Sequence, residues 1–143
     1  MLIKPYHLYL NLNNMQKHFI ITIAAIILTG FVYGQTEPEY GNNPKAGQQL
    51  KMRGFNMYYE IYGSGAPLLI IHGNGGSIKD FSKQIPYFSK EYKVILADSR
   101  AQGKSTDTGD SLNYELMADD LNALLNHLHL DSCFVIGWRD GGI

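Results

Sequence analysis

Phe134-Val135-Ile136-Gly137-Trp138-Arg139-Asp140-Gly141-Gly142-Ile143 is the stretch on which the reading of this 143-residue chain turns. Phe134 to Ile136 form an apolar run, Gly137 ends it, and Gly141 and Gly142 follow four and five residues later. This is the order of a strand turning sharply into a helix. Gly137-Trp138-Arg139-Asp140-Gly141 has the spacing of the nucleophile elbow, G-x-S-x-G, whose central residue occupies a strained turn while small neighbours let the backbones pack closely. The centre here is Arg139. A guanidinium stays protonated at any relevant pH and offers only donors, so it cannot attack a carbonyl carbon. The turn therefore has the shape for nucleophilic chemistry without a nucleophile.

Upstream, Pro67 leads into Leu68-Leu69-Ile70-Ile71, a wholly apolar strand without alternation, as expected for a strand buried on both faces of an α/β sheet. His72-Gly73-Asn74-Gly75-Gly76-Ser77 follows it. Glycines there let the backbone approach a ligand and free amide N–H groups to face a developing negative charge. His72, at a strand end beside Gly73, reads as a structural hydrogen-bonding residue. A rival reading is dinucleotide binding, because Gly73-x-Gly75 after a strand, with Asp98 after the next strand, follows part of the Rossmann pattern; the third glycine would fall at Ile78. Gly103-Lys104-Ser105 invites a phosphate-loop reading. That pattern needs a glycine at Asp98 and a helix from the lysine, where Thr106 to Asp110 carries turn chemistry instead.

The remaining elements fit an alternating α/β pattern. Leu50–Met52 and Asn56–Tyr62, separated by Arg53-Gly54-Phe55, predict a hairpin. Ser77–Ser89 predicts a helix bent or broken at Pro86, and Tyr92–Ala97 another strand. Ser111 or Asn113 can cap a helix from Tyr114 to about His129, with Tyr114, Met117, Ala118, Leu121, Leu124, Leu125 and Leu128 on one stripe. Asp119 and Asp120 read as part of its solvated face. His127 and His129 do not share a helix face, so they make a poor metal pair. Cys133, the single cysteine, reads as a small core residue.

Three motifs in this order, the Gly-rich loop after an apolar strand, Asp98-Ser99-Arg100-Ala101-Gln102-Gly103-Lys104-Ser105, and the elbow, resemble the first half of the α/β-hydrolase family. The resemblance is to esterase-like members with Gly-Trp-Ser-Asp-Gly-Gly at the elbow, and it runs from about residue 50 to 143. It implies an α/β fold with a mostly parallel sheet, cut after the elbow strand. It also implies a serine hydrolase of carboxylic esters or similar acyl substrates, with Arg139 where the family has serine. Carried over residue by residue, the backbone N–H groups of Asn74 and Asp140 would form the oxyanion hole, framed by loop and elbow glycines Gly73, Gly75, Gly76, Gly137 and Gly141. Ala101 stands where the family loop usually has glycine, so a positive φ there would add strain of about 1 kcal/mol. In the family the acid and the histidine follow the elbow in the chain, and no cofactor or metal is needed. This chain is accordingly expected to be inactive; a non-catalytic binding protein of the same fold is the alternative.

The composition is ordinary for a globular domain, 45% hydrophobic and 17% charged, with a formal net charge of −1. No basic field exists to hold a nucleic acid; the expected partner is a small ester-like molecule. Phe19 to Val32 is an uncharged apolar run preceded by Lys17 and His18, and Val32 and Gly34 are small residues where a signal peptidase reads. Residues 1–34 are therefore expected to be a signal peptide, with Met15 an alternative start, followed by a linker over 35–49 and the domain over 50–143. Export to the periplasm or the medium follows, without stable membrane association after cleavage; the alternative is an N-terminal membrane anchor.

Overall fold

The computed structural model describes residues 13–19, 22, 38–106 and 112–143. It divides into two units, Met1–Glu37 and Pro38–Ile143. In the first, residues 14–19 are helical; Gln16 N–H donates to Asn13 Oδ1 at 2.9 Å and Asn13 N–H to Gln16 Oε1 at 3.2 Å, a reciprocal cap. Most of the expected signal segment lies outside the described residues. Among the described residues no helix is long and apolar enough to cross a membrane.

The second unit is built on a five-stranded sheet: β1 (Gly47–Met52), β2 (Phe55–Tyr62), β3 (Ala66–Ile71), β4 (Tyr92–Ala97) and β5 (Phe134–Gly137), in spatial order β1-β2-β4-β3-β5. β3 pairs in parallel with both β4 and β5, while β2 is antiparallel to its neighbours β1 and β4. Every strand but β2 therefore points the same way. The hairpin closes on Arg53 (φ 43°) and Gly54 (φ 87°), two left-handed residues whose twist matches that of the strands they join.

The apolar runs of β3 and β4, which lack alternation, are buried on both faces, as expected. Leu68, Ile70, Val94 and Leu96 pack with Ile78, Phe81 and Ile85 on one side of the sheet. Leu69, Ile95 and Ala97 pack with Met57, Tyr59 and Leu124 on the other. The first side is covered by a 3₁₀ turn, Ile78–Phe81, and by α1 (Ile85–Phe88); the second is covered by α2 (Tyr114–His127). Each fully buried aliphatic side chain contributes about 1.5–3 kcal/mol. Asn113 caps α2, its Oδ1 accepting from Leu116 N–H at 2.7 Å.

Several expectations change. Pro86 sits in the first turn of α1 and so begins that helix; the break falls before it, between Phe81 and Ile85, because the missing N–H of a proline has no partner to lose in a first turn. β1 begins at Gly47, inside the stretch read as a linker. The polar residues just before it are pinned by Glu60, which has no solvent exposure: its carboxylate accepts from Gly41 N–H (2.9 Å), Asn43 N–H (2.9 Å), Tyr58 Oη (2.6 Å) and Tyr62 Oη (2.7 Å). Asp120 is also no part of a solvated face. It is 1% exposed and takes a two-pronged contact from Arg100, Nε at 3.0 Å and Nη2 at 2.9 Å. Cys133 is only partly buried, because β5 is an edge strand with Phe134 and Val135 exposed.

Candidate active site

The elbow has the geometry its glycines require. Trp138 is extended and its N–H donates to Ile71 O at 3.0 Å; a 3₁₀ turn over Arg139–Gly142 follows at once. Arg139, at the apex, has φ +56°. An L-residue there costs about 1–2 kcal/mol. A Cβ on Gly137 would lie 2.2 Å from Gly141 O, and one on Gly141 would lie 2.7 Å from both Ile71 O and His72 O. Only bare backbone at both positions lets the turn fold back on its strand and lie against the end of β3.

His72 sits at that end, 4% exposed. Its Nε2 accepts from Ser99 N–H at 2.9 Å, which leaves Nδ1 to carry the proton and donate to Gly73 O at 2.8 Å. The ring is a brace between two loops, as its strand-end position implied. Gly75 (φ +74°) turns the following loop. Asn74 N–H donates to Asp140 Oδ1 at 2.8 Å, and Gly75 N–H to Gln102 Oε1 at 2.7 Å. The bond from Asn74 holds the Asp140 carboxyl below the usual carboxylate range, helped by Asp140's own N–H, the Arg139 charge and the Tyr114 hydroxyl.

The loop after β4 supports this from below. Buried Asp98 accepts from Ile78 N–H (2.8 Å) and Lys104 N–H (2.7 Å). Burial pushes its carboxyl up, and these two bonds pull back against that rise. Ala101 has φ +59°, the strained position anticipated for it. The same contacts dispose of the dinucleotide reading. Ile78 is 1% exposed in the core, and Asp98, the candidate ribose acid, is spent on backbone amides. The loop opens into a four-residue 3₁₀ turn, too short to present a helix terminus to a pyrophosphate.

Two adjoining clefts lie at the C-terminal ends of β3 and β5, where open α/β sheets bind their ligands. One, of about 80 Å³, is walled by residues that include Ile71, His72, Leu121, Asp140 and Gly141. The other, of about 260 Å³, includes Gln102 and Leu112, and Asn74, Tyr114, Met117 and Asp140 belong to both. The structure thus brings together Asn74, Asp140 and Gly141 of the expected site, with Gly73 beneath Arg139: a Cβ on Gly73 would lie 3.1 Å from Arg139 Cβ. Sequence reasoning missed Gln102, and it placed Tyr114 and Met117 in a core stripe when they line the cleft. Tyr114, the first residue after the Asn113 cap, was the available signal: an aromatic at a helix N-terminus lies beyond the part of the stripe that the sheet covers.

Comparison with known proteins agrees with this geometry. The profile of the alpha/beta hydrolase fold matches residues 66–142. The soluble epoxide hydrolase of a Corynebacterium species is 34% identical over 94 residues, 66% of this chain and 33% of its own. An sn-1-specific diacylglycerol lipase of Danio rerio is 34% identical over 92 residues, 61% of this chain and 29% of its own. A solved epoxide hydrolase superposes with a TM-score of 0.65 at 33% identity, over 67% of this chain and 34% of its own. The chain spans about a third of the length of the curated relatives it matches. With elbow, Gly-rich loop and strand order all in place, the chain belongs to the alpha/beta hydrolase fold family.

Proposed function

We propose that the cleft above the elbow is the acyl-binding part of a hydrolase site for carboxylic esters or similar acyl compounds, and that Arg139 leaves this chain without acyl transfer. One observation supports the reading above the others: position 139 occupies the strained apex at φ +56° between Gly137 and Gly141, and the side chain there is a guanidinium. In the chemistry of the fold a hydroxyl at that apex attacks the acyl carbon while two backbone N–H groups take the charge on the oxygen. Each such donor contributes about 3 kcal/mol in the transition state. Asn74 and Asp140 supply these amides in this reading, and Ile71, Met117 and Leu121 offer apolar wall to a short acyl chain.

The attacking hydroxyl also needs an imidazole to take its proton. Among the described residues His72 is the histidine on the cleft wall, and its two ring nitrogens are already held by Gly73 O and Ser99 N–H. Arg139→Ser alone therefore restores nothing. The test is hydrolysis of chromogenic short-chain esters by the purified chain, unaltered and as Arg139→Ser. Release at the buffer rate is expected from both, and sustained turnover by the unaltered chain would overturn the proposal. A non-catalytic binding role for the same fold is the second reading, favoured by the carboxylate already seated on the Asn74 amide.

A further inference from the structure

The amide that the Gly-rich loop turns toward the cleft already has an occupant. Asn74 N–H donates to Asp140 Oδ1 at 2.8 Å. Asp140's own N–H, the Arg139 charge and the Tyr114 hydroxyl act on the same carboxylate. The Asn74 amide assigned to a developing oxyanion is thus already held by a negatively charged side chain. We propose that Asp140 is a latch on this loop: its carboxylate fills the position that a small carboxylate or an acyl oxyanion takes, and the site opens to such an anion when the side chain leaves.

The surroundings fit a removable occupant. Gly73 makes room for it, since a Cβ there would lie 2.8 Å from Asp140 Oδ1. The next two amides of the loop have acceptors elsewhere: Gly75 N–H goes to Gln102 Oε1 at 2.7 Å and Gly76 N–H to Gly73 O at 2.9 Å. The Asn74 amide is satisfied from the elbow instead, so rotation of a single side chain frees it. A charged oxygen on a backbone N–H forms a bond roughly twice as strong as a neutral one, so the occupant that replaces Asp140 should itself be an anion. Ile71, Met117 and Leu121 beside it suit a short aliphatic tail.

The inference rests on the assignment of Asn74 to an anion-binding loop made above, and it does not require turnover. The experiment follows the Asn74 amide resonance in the isotope-labelled chain, unaltered, as Asp140→Ala and as Asp140→Asn, during titration with butyrate and with butyramide. In Asp140→Ala the resonance should shift saturably with butyrate, at least about tenfold tighter than in the unaltered chain, and stay still with butyramide. Asp140→Asn, which keeps a neutral Oδ1, should fall between them, and being isosteric it carries the test if the alanine variant unfolds. Equal responses in the unaltered chain and both variants, no response in the variants, or equal responses to acid and amide would overturn the latch. An ester assay that overturned the hydrolase reading would leave this binding result standing.

Discussion

Asp119 and Asp120 are neighbours in sequence on α2, yet their removal should differ in cost several-fold. Asp120 has a side chain 2% exposed, bonded to an Arg100 whose side chain is 6% exposed, and Arg53 Nε adds a third contact at 3.2 Å. Asp119 is 63% exposed and, among the described residues, pairs with the 43%-exposed Arg53, at 3.4 Å. Taking one partner from a buried pair costs about 3–5 kcal/mol, because the charge left behind stays desolvated. Arg100 would keep its stacking over the Phe55 ring, 4.1 Å from its centroid. An exposed pair loses less than about 1 kcal/mol, reduced further by solvent screening. With a urea dependence of about 2 kcal/mol per molar, Asp120→Ala should lower the unfolding midpoint by about 2 M. Asp119→Ala should lower it by less than about 0.5 M. Asp120→Asn, which retains an acceptor but not the charge, should lie between. The assay is equilibrium urea denaturation followed by far-ultraviolet circular dichroism. Equal midpoint shifts for the two alanine variants would refute the reasoning.

Two glycines of the site should fail for different reasons. Gly137→Ala drives a Cβ to 2.2 Å from Gly141 O and should cost about 3 kcal/mol or more, whereas Gly75→Ala meets nothing within 4 Å and should cost about 1 kcal/mol through its φ of +74° alone; the same urea midpoints separate them. Burial, then the bonds to Glu60, holds the Tyr58 and Tyr62 phenols well above their usual range. A raised folded value contributes stability that is fully present below the unfolded one of about 10 and is lost progressively above it, as pH climbs through the folded value. Absorbance at 295 nm should therefore show tyrosines that ionise only as the chain unfolds in alkali; complete reversible ionisation near pH 10 would contradict this. We also propose export, with a mature product that begins at Gln35 on N-terminal sequencing; a membrane-bound product retaining residues 19–32 would refute it.

The sheet was legible in the sequence because its determinants are local: unalternating apolar runs at β3 and β4, and glycines at the separation the elbow demands. The strained turn at Arg139 was legible from the elbow spacing, and a positive φ at Ala101 followed from the family resemblance, in which glycine usually stands there. What escaped depends on pairings distant in sequence. Asp120 looks like any helix-surface acid until Arg100, twenty residues upstream, folds beneath it. The stretch before β1 looks like a linker because its polar residues are held by the buried Glu60, whose place in a hairpin strand says nothing about what it will accept. Asp140 was anticipated for its amide, and its carboxylate, which accepts from Asn74 N–H on the cleft wall, was not; side-chain direction on a 3₁₀ turn is set by neighbours across the site.

The measurement that bears most directly on the account is the intact mass of the chain after incubation with an activated acetyl ester, taken on the unaltered protein and on Arg139→Ser and followed by peptide mapping of the elbow. A cation at the apex and a cleft histidine tied up by Gly73 O and Ser99 N–H predict no acetyl adduct at position 139 in either form. Stoichiometric acetylation at position 139 in Arg139→Ser would show that a base reaches the elbow, and would contradict the account.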